Sequence, residues 1–596
     1  MSGSKIRQRK KVQKDVGEPS TQLESESDNP PEFDCDLSKY VKILVLPILL
    51  ALGVVHYLHP ALFRNAVESY LGFDLNQNTI STPADFSTDE AKREAIVHAF
   101  KHAWLAYEAH AMGDDEFHPL SQEGTNLTTA GGIGYTVVDS LDTMLLMGLT
   151  EEYERARNWV ANTMSFDRNA SFNTFETTIR VLGGLLSAYH LSGEDPMYLE
   201  KAIELADRMM PAFNTPSGLP LSNINLALRQ GINDREWPEF VSSAEVATLQ
   251  LEFRYLSLLT GNTEYWQKVE SVMRVLKENL MPHGLASIFV NWRSGEWVLS
   301  AMRLGSRADS YYEYLLKQYI QTNAKEAVYR DVMYTAAMDA VHQNLIKKSA
   351  YASMTYTSEL IPERDDRGEI SWRLTPKQDH LVCFFGGSLL LGAVTTGALI
   401  HPVSVPPRPE ELTDAGKRDW KTGLALIKTC MDTHNTATGL APEIAHFRIA
   451  SDGIGHDSMF PTDWYIKGAR VKPGELPPYD ARYMLRPETI ESLFLAFRLT
   501  GELLSSDQKY RDWAWQIFRS IETHCKVDSG GYATIINVDE VPSRKEDKME
   551  TFMLSETLKY LYLIFSEPSV LPLDKYVLNT EAHPLPIFEI PADFGG

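Results

Sequence analysis

Cysteine is scarce in this chain: 596 residues contain four, Cys35, Cys383, Cys430 and Cys525. None stand in a C-x-x-C spacing, which argues against a zinc ribbon or a dithiol redox motif. Positive charge is also short. There are 57 Lys and Arg against 80 Asp and Glu, for a net charge of −23. No basic stripe is left to neutralise phosphates, so nucleic acid is not an expected partner. Strand-like alternation is rare, with SIFVNW and GGYATIINV the best candidates for short hairpin pieces. No Asp/Cys/His cluster has zinc-ligand spacing, and no loop has the spacing of an EF-hand.

Long apolar runs are limited to one, VKILVLPILLALGVVHYL at 41–58. At about 1.5 Å per residue it just spans a thin bilayer. Residues 1–40 are polar, with Arg7, Arg9, Lys10, Lys11 and Lys14 in a basic cluster. Such a tail cannot bury a core and is expected to be disordered. The expected organisation is a cytoplasmic tail at 1–40, a transmembrane signal anchor at 41–58, a stem at 59–88 and a lumenal domain at 89–590. A cleaved signal peptide fits less well, because the preceding tail is long and no small-residue cleavage site follows. Basic residues on the cytoplasmic side give a single-pass type II orientation. Two glycosylation triplets, Asn126-Leu127-Thr128 and Asn169-Ala170-Ser171, agree with a lumenal domain.

From about residue 90 a pattern recurs: an acidic residue, an apolar run at helical spacing, and often a closing Thr-Gly or Ser-Gly. Asp139, Glu176, Glu245, Asp309, Glu488 and Glu556 open such runs, and His380 opens a seventh. A carboxylate suits a helix N-terminus, where unpaired N–H groups and the helix dipole favour negative charge. Most intervals leave room for two helices and two loops. Each hairpin needs neighbours to cover its apolar face. The expected fold is all-α: seven helix pairs in a closed toroid, with an open solenoid as the alternative. Helix starts gathered at one end would make an acidic pocket.

That pocket has the residue types for hydrolysing a glycosidic bond, which takes one carboxylic acid to protonate the leaving oxygen and one carboxylate to activate water or attack directly. The candidate acids are Glu176, Asp309, Glu488, Glu491 and Glu556. Arg180, Arg307 and Arg486 stand close to three of them. An arginine beside a carboxylate favours its ionised form or hydrogen-bonds sugar hydroxyls.

The motifs FETTIRVLGGLLSAYHLSG, RADSYYEYLLKQ, DHLVCFFGG, LRPETIESLF, KMETFMLSETLKYLYLIFS and NTEAHPLPI closely resemble glycoside hydrolase family 47, the class I α-mannosidases. The resemblance runs from about residue 90 to Ile587. It implies an (α/α)7 barrel and a calcium-dependent, inverting hydrolase of terminal α-1,2-linked mannose on high-mannose N-glycans. Carried over by position, it makes Glu176, Asp309 and Glu488 the catalytic acids. Glu488 is the general base, and either Glu176 or Asp309 the general acid. His380 matches a pocket histidine. Arg180, Arg307, Arg486, Glu491, Phe552 and Glu556 match sugar-binding or cation-shell positions. Thr580 matches the residue whose carbonyl and hydroxyl bind Ca2+. Cys383 and Cys430 match a structural disulfide, a pairing that an oxidising lumen permits. The anchor and Arg307 together resemble the endoplasmic-reticulum branch, and the chain is expected to act as a monomer. The alternative is a lectin-like relative that binds mannose on misfolded glycoproteins with little hydrolysis.

Overall fold

The computed structural model describes residues 85–594 apart from 280, 282–283, 451–461, 469–474, 502–508 and 593. The expected tail, the anchor at 41–58 and nearly all of the stem lie outside the described residues. Among those described, no helix is long and apolar enough to cross a membrane.

Among the described residues, fourteen α-helices of seven residues or more fall into two alternating classes, beside the short helical turns Thr174–Glu176 and Ser243–Ala247. One class is amphipathic: α1 (Glu90–Ala111), α3 (Thr150–Asn162), α5 (Pro196–Met209), α7 (Thr263–Glu278), α9 (Thr335–Asn344), α11 (Asp414–Asp432) and α13 (Lys509–His524). In α5 the buried positions are Tyr198, Ala202, Leu205, Ala206 and Met209, a single stripe that packs inward. The other class is buried over most of its surface: α2 (Tyr135–Met147), α4 (Gly183–Leu191), α6 (Gln250–Thr260), α8 (Asp309–Gln321), α10 (Phe384–Val394), α12 (Glu488–Thr500) and α14 (Leu558–Ile564). Every residue of α14 is buried, which its run of Leu, Tyr and Ile requires.

The buried helices touch in a cycle. α2 meets α4, then α6, α8, α10, α12 and α14 follow in turn, and the π-helical turn Met553–Thr557 before α14 returns to α2. Each amphipathic helix, or the π-helical turn Val328–Tyr334 before α9, packs outside its partner, and α1 covers α14. The open-solenoid alternative therefore does not hold. Helix ends follow the turn chemistry of the sequence: Gly261 closes α6 at φ +68°, a left-handed conformation that glycine adopts without the clash a Cβ brings. α10 and α11 approach so closely that a Cβ on Gly423 would meet the Gly386 carbonyl oxygen at 2.7 Å. The Cys383–Cys430 disulfide, as the resemblance implies, ties the residue just before α10 to α11, and Cys525 is buried and unpaired.

Strands are short and occur in seven small sheets among the described residues. Within SIFVNW, Phe289–Asn291 pairs with Phe240–Ser242. GGYATIINV differs from expectation: its residues make only isolated bridges, such as Ile535 with Tyr483. The hairpin Tyr576–Leu578 with Pro584–Pro586 contacts α4, α6 and α8, so its tip, residues 579–583, is carried inside the cycle of buried helices.

Candidate active site

Glu488 is the first residue of α12, behind Leu485, whose φ of +63° turns the chain sharply. The turn is held by the Thr557 hydroxyl, which donates to the Leu485 carbonyl at 2.6 Å. Arg486 donates two bonds to Glu443, at 3.1 and 2.7 Å, and this fork leaves Nη1 3.6 Å from Glu488 Oε1. Glu488 is 8% exposed and its Oε2 has no hydrogen-bond partner. Burial pushes its carboxyl up to about 7; Arg486 opposes the rise, while Glu443 and Glu313 add to it. His380 Nε2 lies 3.9 Å from Glu488 Oε2 and 3.1 Å from the Thr489 hydroxyl. Burial, then His434 and Arg486, hold that imidazole well below its usual range, so it is neutral.

Asp309 opens α8 in the same way. Two residues before it, Arg307 has φ +77°, a conformation costing a non-glycine residue on the order of 1–3 kcal/mol. Three donors offset that cost by converging on its carbonyl: the hydroxyls of Ser242 and Ser243 at 3.1 and 2.8 Å, and the Ala244 N–H at 2.9 Å. The Arg307 guanidinium lies 5.3 Å from the Phe289 ring, which also meets the exposed Trp237 at 5.1 Å and Phe240 at 6.1 Å. Burial pushes Asp309 up to about 7; the Ser310 N–H lowers it, and Glu313, Asp379 and Glu488 raise it.

Glu176 is the most open of the three, its side chain 41% exposed. The Asn173 side chain caps its N–H at 2.9 Å, and the chain then runs through a π-helical turn, Thr177–Leu182, into α4. That extra residue per turn is a common device at functional sites. Here the turn carries Arg180, whose Nε donates to Glu176 at 2.8 Å and whose Nη1 reaches Thr551 at 2.9 Å and the Glu581 carboxylate. The guanidinium groups of Arg180 and Arg486 lie 5.8 and 5.4 Å from the same ring, Phe552. Phe552 thus joins the Glu176 and Glu488 sides of the pocket.

Below them lies an excess of carboxylates. Glu491, Glu556 and Glu581 are all pushed up, first by burial and then by one another and their acidic neighbours: Glu556 by Glu581, Glu488 and Glu491, and Glu491 by Glu313 and Glu488. Lys317 offsets part of this; it is bonded to Glu313 and to the Asn579 carbonyl at 3.3 Å, and lies 3.8 Å from Glu491. Thr580 sits on the hairpin tip beside this group, its hydroxyl donating to Glu313 at 2.8 Å. The tip is fixed by Asn579, which donates to the Ile179 carbonyl at 2.9 Å and to Glu252 at 2.8 Å.

Residues 99–587 match the family model described as glycosyl hydrolase family 47. This chain belongs to that family. It is 40% identical over 540 residues to a mannosyl-oligosaccharide 1,2-alpha-mannosidase of Candida albicans, covering 88% of this chain and 89% of the relative. An endoplasmic reticulum mannosyl-oligosaccharide 1,2-alpha-mannosidase of Schizosaccharomyces pombe is 39% identical over 523 residues, covering 86% and 93%. Among solved structures, an alpha-1,2-mannosidase from Trichoderma reesei superposes with a TM-score of 0.70 at 28% identity, covering 84% of this chain and all of that one. As a family 47 member the chain is a glycoside hydrolase, and its mostly helical fold is the family's.

The candidate acids and arginines fall into a few linked sets. Glu176, Arg180, Phe552, Arg486 and Glu488 form one linked set. Asp309 feels the charge of Glu488, as do Glu491 and Glu556. Arg307 stands at the aromatic rim. Four participants escaped the sequence reading: Glu313, Glu443, Glu581 and Asp379. Glu313 and Glu581 had a signal, being one turn after Asp309 and inside the NTEAHP motif. Asp379 had one as well, as the first residue of the DHLVCFFGG motif; Glu443 comes from an irregular segment with no periodic pattern.

A hard cation with oxygen ligands fits these residues. Among the described residues no three His, Cys, Asp or Glu side chains converge to hold a metal on their own. The residue that the family resemblance assigns to Ca2+, Thr580, offers a carbonyl and a hydroxyl beside these carboxylates, and water could complete the shell of a hard cation held there. The raised carboxyls and the unpartnered Glu488 Oε2 are the sign of negative charge not yet offset within the protein.

Proposed function

We propose that the chain is a calcium-dependent α-1,2-mannosidase that trims terminal α-1,2-linked mannose from high-mannose N-glycans with inversion of configuration. The observation that carries this reading is the gathering of Glu488, Asp309 and Glu176 with Arg180, Arg486 and Phe552 around one pocket floored by further carboxylates. Inversion takes a base and an acid about 6.5–9.5 Å apart, leaving room for the attacking water. Glu488 is the base in this reading: burial raises its carboxyl, Arg486 works against that rise, and the free Oε2 lone pairs can accept a water proton. Proton delivery to the leaving oxygen falls to Asp309, whose surroundings keep a proton near neutral pH, or to Glu176, which faces solvent. Phe552 offers an apolar face to the sugar ring, and Arg180 and Arg486 flank it with donors for hydroxyls. His380 keeps Thr489 in place as a neutral partner. When bound, Ca2+ supplies fixed positive charge that holds sugar hydroxyls and favours a distorted ring.

The relatives named for the endoplasmic reticulum support residence there. The single-pass type II anchor at 41–58 and the monomeric state belong to the same proposal and rest on the sequence alone. The substrate reading is tested with purified lumenal protein and a high-mannose glycan. Free mannose should appear and EDTA should stop its release; binding without release would favour the lectin-like alternative. The acid is assigned with α-mannosyl fluoride, whose leaving group needs no proton. Whichever of Asp309→Asn and Glu176→Gln keeps activity on the fluoride while losing it on the glycan marks the proton donor.

A further inference from the structure

The two glycosylation triplets look equivalent in the sequence and differ in the fold. Asn126 is built into a turn: its Nδ2, the atom a glycan would occupy, donates to Asp114 at 2.6 Å, and its Oδ1 accepts the Asp115 N–H at 3.3 Å. A Cβ on Gly132 would run into the same Asn126 side chain, so no space is left beside it. The third residue of the triplet is engaged too, the Thr128 hydroxyl donating to the Gly131 carbonyl at 2.9 Å. Asn169 is the reverse. It is exposed, its Oδ1 accepts from Asn225 at 2.9 Å, and that bond turns the amide so that Nδ2 carries no protein partner.

Strand Ser171–Asn173 follows directly and is the open edge of a three-stranded sheet, paired on one side only with Asn223–Asn225. Exposed strand edges are sites of unwanted pairing, and natural proteins cover them. A bulky hydrophilic group on Asn169 would do so.

We propose that Asn169 carries an N-linked oligosaccharide and that Asn126 does not, an inference that rests on the lumenal placement above. In the transfer, a C1–Nδ2 bond forms between the sugar and the asparagine amide. The C1–O bond to a polyprenyl diphosphate breaks, the diphosphate leaves, and the amide nitrogen gives up one proton. Transfer generally precedes folding, so the contrast acts on which glycosylated chains can fold: one modified at Asn126 cannot close the Asp114 turn.

The full chain is made in a eukaryotic secretory host and treated with peptide N-glycosidase in heavy-oxygen water, and the peptides are mapped by mass spectrometry. Heavy aspartate at position 169 and unmodified asparagine at 126 are expected. Ser171→Ala, which leaves Asn169 and its bond in place, should remove one glycan's worth of gel mobility and keep mannosidase activity; Thr128→Ala should not change the glycan. Heavy aspartate at 126 overturns the proposal. So does an unmodified Asn169 in chain that sealed microsomes protect from protease, and that result leaves the lumenal reading standing. An unmodified Asn169 in chain that protease can reach overturns both.

Discussion

Two groups of buried charges lie within the cycle of inner helices and are built on opposite plans. In the first, Asp139 and Asp142 of α2 face Lys559 of α14 and His583 of the hairpin, all four fully buried. Two negative and two positive groups pair off: Lys559 and His583 reach Asp142 at 2.8 and 2.7 Å, and Ser187 donates to it at 2.9 Å. Burial alone would raise Asp142, but Lys559 and His583 overcome it and hold the carboxyl at about 2. His583 is driven the other way, to about 9, because Asp142 and Asp139 outweigh its burial. In the second group, Asp309, Glu313, Glu488, Glu491, Glu556 and Glu581 outnumber the cations within reach, and five of these carboxyls are pushed up. The first plan locks the hairpin to the helices. The second stores unfavourable charge where a substrate proton and a cation can use it.

The contrast is broken most sharply by Glu488→Gln. Activity on a high-mannose glycan should fall by roughly 10²–10⁴-fold or more, the usual worth of a general base. Circular dichroism should be unchanged. Near-normal turnover would remove Glu488 from the base role. Next in size is Asp142→Asn in the paired group, which leaves Lys559 and His583 short of a partner. A buried charge stranded in this way costs on the order of 3–5 kcal/mol, read as a lower urea midpoint, and a neutral result would contradict the pairing.

Glu488→Gln should have the opposite effect on stability. In EDTA it removes a carboxyl raised from 4.5 to about 7, worth on the order of 3 kcal/mol of stabilisation at pH 8. A variant that melts lower than the parent there would mean that the pocket charge is already offset.

The pH profile separates the two plans more gently. A carboxyl raised in the folded state costs stability as pH climbs from its unfolded value through its folded one. Tm in EDTA should therefore decline between about pH 5 and 7 and less so in Glu488→Gln. Asp142 has a depressed carboxyl, so its contribution is full above the unfolded range and is lost only as pH falls toward about 2. His583 is raised, so its contribution is full below about 6.5 and fades as pH rises through about 9. A Tm that is flat between pH 8 and 10 in Asp142-intact protein would count against the His583 pairing. The smallest expected effect is on the cation: Thr580→Ala should weaken Ca2+ binding by calorimetry without unfolding the hairpin tip, and unchanged affinity would place the ion elsewhere.

Much of the ring could be read from residue spacing, because an acid at a helix start and an apolar run are both local signals. Asp309 and Glu488 do begin α8 and α12, and His380 begins the 3-10 turn His380–Cys383. Asp139 does not: α2 starts at Tyr135, after Gly134 in a left-handed conformation, which puts Asp139 one turn inside and into the paired group. Closure of the ring depends on contacts between the first and last helices, which no period can express. The π-helical turns at Thr177–Leu182 and Met553–Thr557 have no sequence signature, yet they set where Arg180 and Glu556 lie. Arg307 escaped as a strained position because its left-handed turn is held by distant serines instead of being marked by glycine.

The most direct check on the hydrolytic reading is the anomer of the mannose first released, followed by proton NMR before mutarotation. Water activated by Glu488 on the face opposite the leaving oxygen gives β-mannose from an α-linkage. Release of α-mannose would mean that a carboxylate had attacked the sugar itself, and the assigned roles of Glu488, Asp309 and Glu176 could not stand.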